Sequence, residues 1–457
     1  MFFRNKITLL VLVVGVTTAG WLSFSLVKNT ANAYLYGYPL VLMDLTRRAM
    51  TSPESGFQEN SFQHNREFPD HTFRNVVRPN NDTLYSVAWL DLSQGPLVLD
   101  VPDTAGRQYV IPLMDAWTNV FATVGKGSTG TEAGSYMIVG PDWKGDKEES
   151  LPVIQSPTNM VWIIGRIQTN GKADIPNVAA IQDQIYLTPL VNWLTGDRIV
   201  GMKQGVDKSA GKVDPYEQLS SMTPEEFFTS LSSLMARQYP LQQDAEMLDT
   251  LRGLGVEPGV DIDTDKWSFV KRRLMAFAVS SVQSTMEKRI EEGGPLENGW
   301  VVIRQNIGRY GDNYAIRAGI AMIGLGALPP EEAAYPNTKV DSGGDLLNGS
   351  HSYLLHFPKG ETPPVEAFWS LTMYDEQGFL IDNPLGRYAI GDRDRLKYNE
   401  DGSLDILIQN SKPKNSENWL PAPKGDFAVT MRLYLPKSEF LDGQWNLPPI
   451  EKVEYTN

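Results

Sequence analysis

The chain has 457 residues, 41% of them hydrophobic, and a formal net charge of −14. That length suits two or three domains, and that composition suits packed structure and not disorder. The charge argues against nucleic acid, whose phosphates need basic patches, and against holding the folded part to an anionic bilayer; the absence of cysteine removes disulfides, thiolate nucleophiles and Cys-held metals.

In chain order, Arg4 and Lys6 precede "ITLLVLVVGVTTAGWLSFSLV", an uncharged run from Ile7 to Val27. About 20 such residues can span a bilayer, and the cationic end stays in the cytoplasm. The run is expected to be an N-terminal membrane helix, with everything after Lys28 in the periplasm or outside the cell. A cleaved signal ending in "ANA" (Ala31 to Ala33) is the competing reading. Residues 30–50 predict a helix, with Leu35, Leu42 and Leu45 apolar and Arg47 and Arg48 at its basic end.

After a polar loop at 52–72, strand-like runs follow: "TLYSVAWLDL", "PLVLDVP", "RQYVIPLMD", "TNVFATVG", "SYMIVG" and "VWIIGRI". Their short spacing is that of a sandwich or barrel. Residues 175–330 change to helical period, with Thr223 an expected N-cap ahead of Glu225 and Glu226. From about 338 strands return in "SYLLHFP", "AFWSLTMYD", "LDILIQ" and "FAVTMRLYLP". The two β regions echo each other. "LVLDVPDTAGRQYVIPLMDAW" and "YLLHFPKGETPPVEAFWSLTMYD" share a strand, a Pro, a polar loop, a second strand and a closing Met and Asp. The expected division is 1–28 (anchor or signal), 29–174 (β-sandwich with a leading helix), 175–335 (helical connector) and 336–457 (second β-sandwich).

"RPNNDTLYS" holds more hydrogen-bonding groups than a turn requires. Pro79, Asn80 and Asn81 suit turn geometry and Asp82 can cap it, leaving Arg78 to pair with Asp82 or Asp91. Alternatively, Arg78 binds an anionic or carbonyl oxygen and Asp82 is an acid or base, with Tyr85 and Trp89 on one strand face. In "PLMDAWTN", an extended chain puts Asp115, Trp117 and Asn119 on one face, either as a strand end or as a lining for a polar ligand. In "FWSLTMYD", Trp369, Leu371 and Met373 alternate with Phe368, Ser370, Thr372 and Tyr374. His64 and His71 flank the first cluster and could approach Asp82, but no metal-binding spacing occurs. "GKGSTGTEAG" lacks the ending of a phosphate loop and reads as a hairpin or loop.

The motifs "RPNNDTLYS", "PLMDAWTNVF" and "GPDWKG" resemble the N-terminal family known as domain of unknown function 1254. "YAIRAGIAMIGLGA", "FWSLTMYDEQGFL", "DGSLDILI" and "NWLPAP" resemble its C-terminal companion, domain of unknown function 1214. The resemblance implies two jelly-roll-like β domains joined by helices, in bacterial proteins with a signal or anchor. It implies no reaction.

Two readings of function follow. In one, the protein is an envelope hydrolase acting on a polar small molecule or saccharide. Asp82 and Asp115 are then the acid–base pair, about 5–9.5 Å apart across a cleft as in glycosidases. In the other, it is a non-catalytic ligand-binding or scaffolding protein of the envelope. Arg78, Asn80, Asn81, Tyr85, Trp117 and Asn119 are the expected ligand contacts. No cofactor or metal is called for, and self-association is left open.

Overall fold

The computed structural model describes residues 2–74, 77–145, 148, 150–197, 214–294, 296–414 and 416–454, without the side chains of 2–21 and 291–292. Phe2–Met50 form one helix. The expected membrane span, Ile7 to Val27, falls mostly on side chains outside this description. Among the described residues no helix is long and apolar enough to cross a membrane.

Further along the same helix, Ala33, Tyr36, Leu40, Leu42 and Met43 are all buried. A helix that is hydrophobic all round needs cover all round. The helices Pro215–Ser221, Pro224–Met235, Ala245–Leu254, Phe269–Glu292 and Tyr314–Gly324 pack around it. Thr223 caps its helix as expected: its side chain accepts from Glu226 N, and the Glu226 carboxylate accepts from Thr223 N.

Among the described residues the strands form four sheets, and none takes strands from both ends of the chain. In the first sandwich, Thr83–Asp91, Met160–Gln168, Tyr109–Asp115 and Val120–Gly125 lie side by side in that order. They pack on a second sheet containing Gly134–Val139, Leu97–Val101 and Tyr186–Pro189. Ala88, Leu99, Ile111 and Ile163 fill the space between. In the second sandwich, Phe427–Pro436, Val365–Asp375 and Ala389–Gly391 pack on Leu404–Gln409, Ser352–Phe357 and Ile450–Val453, around Leu355, Leu371, Ile406 and Val429. Each sandwich carries one parallel strand pair. These strand orders do not establish the jelly roll that the resemblance implied.

The helical region differs from the expected connector. It packs back on the first sandwich as a third layer, because Val87, Trp89, Trp162 and Ile164 make the outer face of that sheet apolar. Trp89 and Trp162 are register partners, stacked 4.9 Å apart between ring centroids. The boundaries shift accordingly. Tyr186–Pro189 is a strand on Leu97–Val101, past residue 174. Leu296–Glu297 and Trp300–Val301 already belong to the second sandwich, before residue 336.

The echo between the halves is structural. In each, the chain passes from one sheet of a sandwich (Leu97–Val101; Ser352–Phe357) to the other (Tyr109–Asp115; Val365–Asp375) and ends in an Asp turn. Asp115 Oδ1 accepts from Trp117 N at 2.9 Å and Asn119 N at 2.8 Å. Asp375 Oδ1 accepts from Gln377 N at 3.1 Å and Phe379 N at 2.8 Å, the same two offsets. Val110 lies between Arg166 and Gly125, and Ser370 lies between Arg432 and Gly391. A Cβ on Gly125 would come 2.3 Å from the Tyr109 carbonyl oxygen, and one on Gly391 would come 2.2 Å from that of Trp369. Only glycine permits either approach.

Trp117 fixes the first sandwich to the helical layer. It is buried, its ring lies 4.7 Å from that of Tyr36, and its Nε1 donates to the Tyr239 carbonyl at 3.0 Å. Trp117→Ala should lower stability by about 3–5 kcal/mol in denaturant unfolding. A loss below about 1 kcal/mol would show that the helical layer does not depend on this contact.

Candidate functional site

The turn at 78–82 meets the outer face of the second sandwich. Arg78 adopts a left-handed conformation (φ 53°), and its N–H donates to the Gly378 carbonyl at 2.7 Å. The carbonyls of Arg78 and Pro79 face Arg432, whose Nη2 donates to the first at 3.0 Å. The Tyr374 hydroxyl donates to the Pro79 carbonyl at 2.7 Å. Asn80 Oδ1 accepts from Asp82 N at 2.6 Å, and its Nδ2 lies 2.8 Å from the Tyr434 hydroxyl and 3.3 Å from that of Tyr85. The alternation read in "FWSLTMYD" explains the meeting. Trp369, Leu371 and Met373 fill the sandwich core, so Phe368, Ser370, Thr372 and Tyr374 must point outward.

Asp82 is buried at the centre of this seam. Its carboxylate pairs with Arg393 Nη2 and accepts from the Ser370 hydroxyl at 2.6 Å. Arg393 Nη1 also donates to the carbonyls of Asp82 at 3.2 Å and Thr169 at 3.1 Å. Burial opposes charge on Arg432, but Tyr374 and the Asp82 carboxylate outweigh it and hold its pKa above the ordinary value.

Where the seam reaches the surface it opens into a cleft of about 640 Å³. Phe68, Asn81 and Lys172 line one wall; Ser370, Tyr388 and Arg393 line the other, with Asp82 also reaching it. Two enclosed polar atoms there, Asn81 Oδ1 and Arg393 Nε, have no hydrogen-bond partner among the described residues. Asn81 Nδ2 donates to the Pro69 carbonyl at 2.7 Å, which holds the loop forming the outer wall. His71 Nδ1 lies 3.1 Å from the Tyr388 hydroxyl across the cleft mouth.

The family described as Protein of unknown function (DUF1254) matches residues 59–189, and that described as Protein of unknown function (DUF1214) matches residues 332–438. The two matches stand in the order that the sequence motifs implied, the first N-terminal and the second C-terminal. The crystal structure of the VPA0106 protein from Vibrio parahaemolyticus has a TM-score of 0.71 at 24% identity, over 94% of this chain and all (100%) of that one. This is a likeness of fold. An uncharacterized protein from Burkholderia cenocepacia gives a TM-score of 0.45 at 11% identity, over 97% of this chain and 98% of that one. A search of curated proteins found no match. Asp82 lies in the DUF1254 match and Ser370 and Arg393 in the DUF1214 match, so each domain supplies one wall of the cleft.

The remaining predicted residues of the DUF1254 domain lie elsewhere. Asp115 is buried and its oxygens are taken by its own loop, including Asn119 Nδ2 at 3.2 Å. Asn119 Oδ1 in turn accepts from Tyr310 N at 3.3 Å. Trp117 is the core contact described above. Thr83 pairs with Gln168 and Asp115 with Val161 on the same strand. Seven residues of strand separate those levels, roughly 23 Å, so Asp82 and Asp115 cannot act as one acid–base pair. Tyr85 is half-buried under Arg166, 5.4 Å from its ring centroid, and Arg78 Nη1 is bound to Thr430 Oγ1 at 3.1 Å. His64 is buried against Ser86, 2.9 Å away, and does not join Asp82. Among the described residues, no group of three or more His, Asp or Glu side chains could hold a metal. In "GKGSTG" the amides of Ser128, Thr129 and Gly130 converge on the Gly125 carbonyl, and the segment is a loop, not a hairpin: the strands it joins, Val120–Gly125 and Gly134–Val139, lie in different sheets.

Sequence reasoning missed Arg166, Arg393, Arg432 and Ser370. One signal was available: Arg166 and Arg432 are single charges within apolar strands, "VWIIGRI" and "FAVTMRLYLP", and such charges are rarely buried without partners.

Asp82→Ala should cost about 3–5 kcal/mol, because it leaves a guanidinium buried without its partner. A cost below about 1 kcal/mol, as for an exposed pair, would mean that this contact does not join the sandwiches. A pH prediction follows from Asp115, whose carboxyl burial raises from 3.8 to about 6. Between those values the folded state keeps a proton that the unfolded chain has lost. The Asp115 contribution to stability therefore falls as pH rises from about 4 to about 6. Buried His64, lowered from 6.5 to about 4, has the opposite slope. The difference between wild type and Asp115→Asn isolates the Asp115 part, and should decline across that window in unfolding titrations. A flat difference would mean that Asp115 is not desolvated.

Proposed function

We propose that the protein binds a small polar molecule, such as a saccharide, in the cleft between its two sandwiches. It does so outside the cytoplasm, held at the membrane by the run from Ile7 to Val27. The observation that carries this reading is the composition of the cleft: aromatic rings (Phe68, Tyr388) beside amide, hydroxyl and guanidinium groups from both domains. Ligand sites are concave, occur at domain junctions and use a few convergent polar groups. The envelope location rests on sequence alone, on Arg4 and Lys6 ahead of an uncharged span. A second reading, hydrolysis of the bound molecule, is favoured by Glu67, an exposed carboxylate on the same cleft.

The test is a thermal-shift panel of saccharides, amino acids and small carboxylates. A ligand class should raise Tm, and Ala389→Trp, which fills the cleft from its second wall, should abolish that rise while changing the ligand-free Tm little. No shift with any class, or a shift that survives Ala389→Trp, overturns the reading. Glu67→Gln separates binding from hydrolysis: under the binding reading the shift persists and no product forms with either protein.

A further inference from the structure

One end of the helical layer carries apolar side chains that are exposed among the described residues. On the N-terminal helix, Leu22 is 61% and Phe24 is 68% exposed; on the Phe269–Glu292 helix, Phe269 is 72%, Val270 62% and Phe277 63% exposed. Large apolar groups gathered in this way mark an interaction surface.

The two helices place these groups together. They pack side by side, and Gln283 Nε2 donates to the Tyr34 hydroxyl at 3.0 Å. One turn further on, Tyr38 feels the charge of Glu287. The helices therefore run in the same direction. Counting back from Tyr34 and Gln283, Leu22 and Phe24 stand level with residues 271–273, roughly 15–18 Å along the axis at 1.5 Å per residue. Phe269 and Val270 lie at that same end.

Cations accompany the apolar groups. Arg273 lies over the Phe269 ring at 5.3 Å and Lys271 over the Trp267 ring at 4.5 Å. Lys28 is exposed one turn along from Phe24. Nearby acids are partly neutralised in place: Asp263 by Lys266 at 2.8 Å and Glu225 by Arg272 at 2.5 Å. Asp261, Asp265 and Glu226 are the exposed acids left beside them, so cations and acids at this end are about balanced. The negative charge of the whole chain is thus not the charge of this end.

We propose that this end of the molecule seats in the headgroup layer of a lipid bilayer. The inference rests on the reading of Ile7 to Val27 as an anchor. The argument for lipid is continuity: Phe2–Met50 is one helix, so a span that ends near Val27 delivers Leu22, Phe24 and Lys28 to the interface. Their neighbours on the second helix must then arrive at the same depth. Aromatic, aliphatic and Lys/Arg side chains are the mixture that the interface favours.

The test uses the full chain, whose lack of cysteine permits single labels. Phe269→Cys, Phe277→Cys and, as a control on the second sandwich, Leu346→Cys are each labelled with a small fluorophore. The proteins are reconstituted into phosphatidylethanolamine and phosphatidylglycerol vesicles with brominated acyl chains. The expected result is co-flotation with the vesicles and quenching at 269 and 277 several-fold above that at 346. Co-flotation with equal quenching at all three positions overturns the inference and leaves the anchor standing. Failure to co-float overturns both. Shielding of the label at 277 that depends on protein concentration without lipid overturns it in favour of a second copy of the chain.

Discussion

Asp82 is buried at the inner edge of the cleft, and the joining of the two sandwiches depends on how its carboxylate is met. Removing a carboxylate from water costs several kcal/mol unless an opposite charge and hydrogen bonds replace its hydration. Arg393 supplies the charge and Ser370 a short hydrogen bond, and both belong to the other sandwich. Asp82 is therefore satisfied only while the sandwiches are in contact. The pair acts as a condition on assembly more than as a source of net stability, because most of its attraction is spent on its own desolvation.

The seam holds more guanidinium than carboxylate. Arg166 and Arg432, equivalent positions in the two halves, are buried with Asp82, while Arg393 is half-buried. Arg166 donates to the carbonyls of Ile164 at 3.1 Å and Gly326 at 2.8 Å; Arg432 donates to the Thr372 and Tyr374 hydroxyls at 2.6 and 2.5 Å. Neutral acceptors thus spread the positive charge where carboxylates are few. Burial raises the Tyr374 hydroxyl and pushes that of Tyr434 well above its ordinary range, so both stay protonated as part of this network. The cleft opens where the network meets solvent, which is why its walls are polar and come from both domains.

The other constraint is the outer face of the first sheet. Its Trp89 and Trp162 demand cover, and the helices supply it around the buried part of the N-terminal helix. The loop of Asp115, Trp117 and Asn119 sits at that contact. Its polar atoms are consumed in closing the loop and its indole in filling the core. Two clusters that look alike as letters therefore have different fates, one beside a cleft and one inside a packed layer.

Features that are local, or long in motif, were legible in the residues alone. Strand alternation sorted Trp369, Leu371 and Met373 from Ser370, Thr372 and Tyr374, because side chains change face at every residue. The cap at Thr223 and the repeated Met–Asp strand ends were legible for the same reason. So was the order of the two domains. Which face met what came from long-range packing. Asp82 and its partner Arg393 are 311 residues apart in the chain, and nothing local to either couples them. The separation of Asp82 from Asp115 came from the strand between them, Met160–Gln168, whose register sets their distance. Pairing and burial are properties of the packed whole, so a turn rich in hydrogen-bonding groups reads the same whether water or another domain will satisfy it.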